Sequence, residues 1–202
     1  MPTCLRPATL PAISAVVCGL NLGQIVALLF QRRQAAPSFA TEATLKTLAA
    51  WTPLLAAPDD TKVVKSPEFA SGKIPGTAPV FLFENSNDSI DGQGVYVGED
   101  PVKAAGTFLS TPPDIITQLK AYEDESRPGL TNGLTAYLIT GDGRIVSSAL
   151  AGIKITNFHV GSRDLEGFRT LDKNNFGFTL AAGWDRDLVI TTPSFDARTQ
   201  LV

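Results

Sequence analysis

The chain has one histidine, two cysteines and one methionine in 202 residues, and no cysteine pair at the spacing of a zinc ribbon or a redox motif. A zinc site therefore has nothing to be built from, and two cysteines are too few for a disulfide framework. Cys4 and Cys18 both fall in the first segment, where they read as free, buried thiols, with a bridge closing a short loop as the alternative. Charge is also scarce: 18% of residues are charged, the net charge is −3, and lysines and arginines are scattered singly apart from Arg32-Arg33. No basic stripe exists to neutralise a run of phosphates, so sequence-specific nucleic-acid binding is not expected.

Catalytic and cofactor motifs are missing too. A serine or cysteine triad would have to pass through His159, which sits between Phe158 and Val160 with no GxSxG elbow anywhere. It reads as a satisfied strand histidine. Glu99-Asp100 and Glu123-Asp124-Glu125 are the remaining acid pairs for a glycosidase-type reaction, and sequence spacing says nothing about the separation that chemistry needs. They read as surface acids. Gly92-Gln-Gly94 and Gly141-Asp-Gly143 are turn glycines, since neither leads into a helix with a following Lys and Ser or Thr. Asp88 and Asp91 lie in a polar loop without calcium-hand spacing. The expectation is no catalytic residue, no cofactor and no metal.

One long run lacks charge altogether. Leu10 to Phe30 is uncharged, but Pro11, Gly19, Asn21, Gly23 and Gln24 interrupt it and Arg32-Arg33 follow, so neither a membrane span nor a signal peptide is expected. The reading is an extended arm over residues 1 to about 11, then a strand from about Gly19 to Gln31 buried on both faces.

What is present is a succession of short strands, organised around Leu134 to Leu150. There Leu-Thr-Ala-Tyr-Leu-Ile-Thr runs into Gly141-Asp142-Gly143-Arg144 and out through Ile-Val-Ser-Ser, the clearest hairpin in the chain. A lone hairpin is marginal in water, so neighbours must pair with it. Further strands are expected at 61–66, 80–83, 95–97, 102–109, 152–160, 175–180 and 188–192, with a charged loop over 161–173 and an extended tail over 193–202. Leu45, Leu48 and Trp51 recur at helical spacing, with a second helical turn expected after a Thr52-Pro53 break. Trp51 is expected to pack this unit onto the sheet. Thr111-Pro112-Pro113-Asp114 reads as a capped helix start, with Thr111 as cap, Ile115, Ile116, Leu119 and Tyr122 as the packing stripe, and fraying at Glu123-Asp124-Glu125.

These signals predict one mostly β domain over 1–202, an antiparallel sandwich or barrel with one packed helix and a short N-terminal helical insert. The element order, the segment Asn174-Asn-Phe-Gly-Phe-Thr-Leu-Ala-Ala-Gly-Trp184 and Thr192-Pro-Ser-Phe195 resemble the bacteriophage tail-tube family. That resemblance implies a virion structural protein without an active site, assembled in the host cytoplasm and closing into homo-oligomeric rings or stacks. Residues 1–11 and 193–202 would be contact arms hiding Leu5, Leu10, Phe195 and Leu201 on a neighbour, the alternative being that both ends fold back onto their own domain. Capsid decoration, connector and baseplate roles, and a virion-associated wall-degrading hydrolase, are the alternatives. A far-UV circular-dichroism spectrum should show β signal dominating; a helix-dominated spectrum would contradict the fold.

Overall fold

A computed structural model describes residues 23–34, 37–83, 94–165 and 170–202. Strands β1 (Ile25–Arg32), β2 (Val63–Lys65), β3 (Ala70–Lys73), β6 (Val102–Leu109), β7 (Leu134–Thr140), β8 (Ile145–Ser148), β9 (Ile153–Asp164), β10 (Lys173–Leu180) and β11 (Leu188–Thr191) form one antiparallel sheet in the order β11-β8-β7-β9-β10-β6-β3-β1-β2. The sheet closes on itself, because β1 also pairs with β7 from Ile25↔Thr140 to Arg32↔Leu134. Strands β7, β9, β10, β6, β3 and β1 thus make a six-stranded barrel, with the other three strands attached outside the ring. Among the described residues, strands β4 (Pro79–Leu82) and β5 (Val95–Glu99) pair only with each other. The helices are α1 (Glu42–Leu45), α2 (Leu48–Ala56), α3 (Pro113–Glu125) and α4 (Ala197–Gln200). No helix among the described residues is long and apolar enough to cross a membrane.

The alternation of strand side chains fills the barrel from within. Strand β6 buries Val102, Ala104 and Phe108, and β10 contributes Phe176, Phe178 and Leu180. Glycine sits where strands and rings approach closest: a Cβ at Gly72 would lie 2.4 Å from the Ile25 carbonyl oxygen, and one at Gly106 would lie 2.6 Å from the Phe176 ring. The single β1–β3 contact, Ile25↔Gly72, depends on that missing side chain.

The expected central hairpin is present, and Gly143 takes the left-handed φ of 81° that the turn requires. Inside the turn the Thr140 hydroxyl donates to Asp142, holding that carboxyl below its ordinary value, with help from the Arg144 guanidinium 3.0 Å away. Strand β7 is buried throughout. One of its edges pairs with β1, and the other is shared between β8 at Leu138 and Ile139 and β9 at Thr135 and Ala136.

A second core covers the outer face of β1 and β7. Ala27, Leu29, Tyr137 and Ile139 meet Phe39, Leu45 and Trp51 there. Trp51 is fully buried, its indole N–H donates to the Leu45 carbonyl at 3.0 Å, and its ring lies 4.5 Å from Phe39 and 5.1 Å from Tyr137. Packing of the helical unit through Trp51 is therefore as expected.

Several boundaries differ from the sequence reading, each for a local reason. The helical unit breaks at Lys46-Thr47 and not at Thr52-Pro53: Thr41 closes a capping box on Thr44, and the Trp51 bond to Leu45 folds α2 back on α1, leaving Pro53 inside α2. Thr111 does not cap α3. Its hydroxyl turns back to the Leu109 carbonyl, its own carbonyl accepts from Arg163, and Pro112 holds the cap position without a side-chain bond. The acidic end does not fray, because Glu123 accepts from the Val160 amide at 3.0 Å and Glu125 grips Arg32. Strand β9 continues to Asp164, into the expected loop, on the Lys173↔Asp164 and Asn174↔Arg163 pairs.

The tail over 193–202 is not an extended arm. Asp196 caps α4, and Ala197 and Leu201 are wholly buried in the second core, so the tail covers its own barrel and is not free to serve as a contact arm. The arm over 1–11, Cys4, Cys18, the first residues of the expected Gly19–Gln31 strand, Asp88 and Asp91 lie outside the described residues.

Trp51→Ala should cost about 3–5 kcal/mol in urea denaturation, since it empties a large buried site with three packed neighbours. A loss under about 1 kcal/mol would mean that the outer layer contributes little to holding β1 and β7.

Candidate functional site

Helix α3 lies against one end of the barrel. Ile116 and Leu119 are buried in the interior core, and Tyr122 stacks on Phe30 at 5.0 Å between ring centres. Its far end is fixed by Ser126, which is 1% exposed. The Ser126 hydroxyl accepts from the Phe158 amide at 2.8 Å and donates to the Glu123 carbonyl, and the Ser126 carbonyl accepts from the Asn157 amide at 2.9 Å. Those two amides belong to a bulge in β9, where Asn157 takes a left-handed φ of 52° and the pairing with β10 slips. Inward residues change there from Ile153 and Ile155 to Phe158 and Val160.

Between α3 and β2 an open groove of about 900 Å³ remains, because β2 has only three residues and ends the sheet. Phe30, Val64, Ile115, Leu119 and Tyr122 make its apolar floor, with Gln118 and Ala121 on the helix side. Lys62, Lys65, Glu68 and Glu125 stand at the rim. The two acids are engaged: Arg32 holds Glu125 bidentately at 3.0 and 2.6 Å, and Arg198 holds Glu68 at 3.1 and 2.8 Å. Hydrogen bonds from Arg198 keep the Glu68 carboxyl below its ordinary value. Burial holds the Lys65 ammonium below its own, and its nitrogen donates to the Arg198 carbonyl. Burial likewise raises the Tyr122 phenol. The groove thus has an apolar floor, and both acids at its rim are held by arginines.

The opposite end of the barrel opens into a cavity of about 460 Å³ lined by Ile25, Ile74, Val102, Leu138, Trp184 and Leu188, with Glu99 and Asp185 at its border. Beside it the chain leaves through Gly76 and Thr77 into the β4–β5 hairpin. There Phe81, Leu82, Phe83, Val95, Tyr96 and Val97 are each between 44% and 59% exposed. Phe81 packs edge-on to Tyr96 at 5.8 Å, and the remaining apolar area faces water on both sides.

The residues weighed for catalysis are dispersed. His159 is exposed on β9, its Nδ1 lies 3.1 Å from the Asn157 carbonyl oxygen, and it lines neither the groove nor the mouth cavity. Glu99 borders the mouth cavity, whereas Asp100 is exposed outside it. Glu123 and Glu125 serve the α3 attachments, and Asp124 pairs with Arg127 on the surface. Among the described residues no group of three His, Cys, Asp or Glu side chains is placed to hold a metal ion. The strands expected at 80–83 and 95–97 are present as β4 and β5, but the sequence reading missed that they stand exposed outside the main sheet, and it missed the groove. The available signal was Val80-Phe-Leu-Phe83 with Val95-Tyr-Val97, strands apolar on both faces that therefore need cover on both faces.

Compared with family models, with curated proteins and with solved structures, the chain matches none.

The Glu68–Arg198 clamp predicts a pH response. Because the folded Glu68 carboxyl titrates below its unfolded value, the clamp's stabilisation is complete above about pH 4.3 and fades as pH falls through the lowered folded value. Glu68→Gln should raise hydrogen exchange in residues 197–201 at pH 7, and parent and variant should converge near pH 2. Equal exchange at both pH values would show that the clamp does not hold the tail.

Proposed function

We propose that this protein is a structural subunit that associates with copies of itself, and more narrowly a virion component of the tail-tube kind that builds rings or stacks. The observation that carries the reading is the β4–β5 hairpin. An isolated two-stranded sheet is marginal in water, and this one offers apolar side chains on both faces with no strand of the main sheet beside it. Such a surface suits a permanent partner better than a passing substrate. The closed barrel with one packed helix agrees with what the tail-tube resemblance implies about architecture. Capsid decoration, connector and baseplate roles share the same physical requirement and differ in what the assembly joins.

Sedimentation of the purified chain over a wide concentration range, with negative-stain imaging of the largest species, tests this. Discrete rings or their stacks are expected. A parent that stays monomeric at high concentration overturns the reading. Release of fragments from cell-wall material that is lost in a His159, Glu99 or Asp100 variant would establish the hydrolase instead.

A further inference from the structure

We infer that the β4–β5 hairpin of one copy seats in the groove between α3 and β2 of a second copy, so that subunits join head to tail. This rests on the self-association reading and names the two surfaces that meet.

Three observations converge on that pairing. The first is complementary need. The hairpin exposes apolar side chains and, among the described residues, neither of its outer edges is paired; the groove has an apolar floor and is walled by β2, the last described strand of the sheet. Strands β4 and β5 are about 15 Å long, and the groove wall from Lys62 to Glu68 runs about 20 Å, so the hairpin fits alongside it. An edge strand of β4 or β5 laid there extends the β2 ladder and uses its outward N–H and C=O groups.

The second is charge. Among the described residues of the 79–100 segment, Glu99 and Asp100 are the charged ones, and there is no lysine or arginine. In the groove Glu68 and Glu125 are already bound by Arg198 and Arg32, while Lys62 and Lys65 form no ion pair with a carboxylate among the described residues. The Glu99 and Asp100 end of the hairpin would meet a rim on which Lys62 forms no ion pair among the described residues, which fixes orientation and disfavours a hairpin docking on another hairpin.

The third is placement. The hairpin leaves beside the mouth cavity, next to Val102 at the start of β6, and that strand delivers the chain to α3 at the other end. Hairpin and groove therefore lie at opposite ends of the barrel. One surface meeting a different surface at the far end is a heterologous contact, which propagates into a closed ring or an open stack.

The test uses two variants of the full chain at exposed positions. Val95→Asp with Val97→Asp spoils the hairpin, and Gln118→Glu with Ala121→Glu spoils the groove. Each should keep the parent's circular-dichroism spectrum and self-associate at least ten-fold more weakly by sedimentation. Mixed in equal amounts and taken to the highest attainable concentration, where even a weak single contact is populated, they should give a 1:1 dimer and nothing larger, because the mixture holds one intact hairpin and one intact groove per pair. If the parent assembles and both variants keep its size, or if the mixture stays monomeric, this seating is wrong while self-association stands. A parent that is itself monomeric overturns the self-association reading and this one with it.

Discussion

The rest of the structure depends on the pairing of β1 with β7. Without it the sheet would be an open ribbon with β3 and β1 hanging from one edge; with it, six strands close into a continuous wall around the interior. The pairing is demanding because both strands are buried on both faces. Leu28, Phe30, Leu134, Ala136 and Leu138 point into the barrel, while Ala27, Leu29, Tyr137 and Ile139 point outward and need a second layer. Helices α1 and α2 and the C-terminal α4 supply that layer. The short helices near the start and the tail at the end are thus consequences of one closure, each placed to keep an outward apolar stripe dry.

The same closure explains why a groove is left at one end. Helix α3 is tied to the barrel by Ser126 and the β9 bulge on one side and by Phe30 against Tyr122 on the other. Extending β2 would cover the remaining flank of the helix. After Lys65 the chain keeps to β1, with the Ser66 amide donating to the Leu28 carbonyl at 2.8 Å and the Phe69 amide to the Val26 carbonyl at 2.9 Å, while Pro67, which cannot donate, interrupts the ladder between them.

Much of this fold is legible in the amino-acid sequence. The central hairpin announces itself through Asp-Gly flanked by β-branched and aromatic residues, β6 through its strict alternation, and α3 through Ile116, Leu119 and Tyr122 at helical spacing. The misreadings share a cause: a side chain expected to serve its own segment is recruited by a distant one. Thr111 looks like a cap, and its carbonyl is taken by Arg163. Glu123 and Glu125 look like frayed surface acids, yet they bond Val160 and Arg32, 37 and 93 residues away. The bulge at Asn157 is invisible because Ile153 to Val160 reads as one strand, and only Ser126 reveals where its phase slips. The candidate site is less legible than the fold. An apolar strand carries no mark saying whether it is covered by its own chain or by another, so Phe81 to Phe83 and Val95 to Val97 read as ordinary sheet.

Magnitudes set the character of such a contact. Fully burying a large apolar side chain stabilises by about 1.5–3 kcal/mol, so finishing the burial of six half-exposed ones yields about 5–9 kcal/mol. Lost translational and rotational freedom opposes association by about 4–15 kcal/mol. In the proposed seating one hairpin in one groove is therefore close to balance, so a single pair would form only at high concentration and separate readily. Closing a ring changes the arithmetic, because the final contact is made within an assembly already held together and no further subunit loses its freedom. In an assembly of the proposed kind, weak single contacts would let a misplaced subunit leave before closure, whereas a closed ring would persist because every subunit is held at both ends. A hairpin of this size suits a repeated subunit better than a lone dimer.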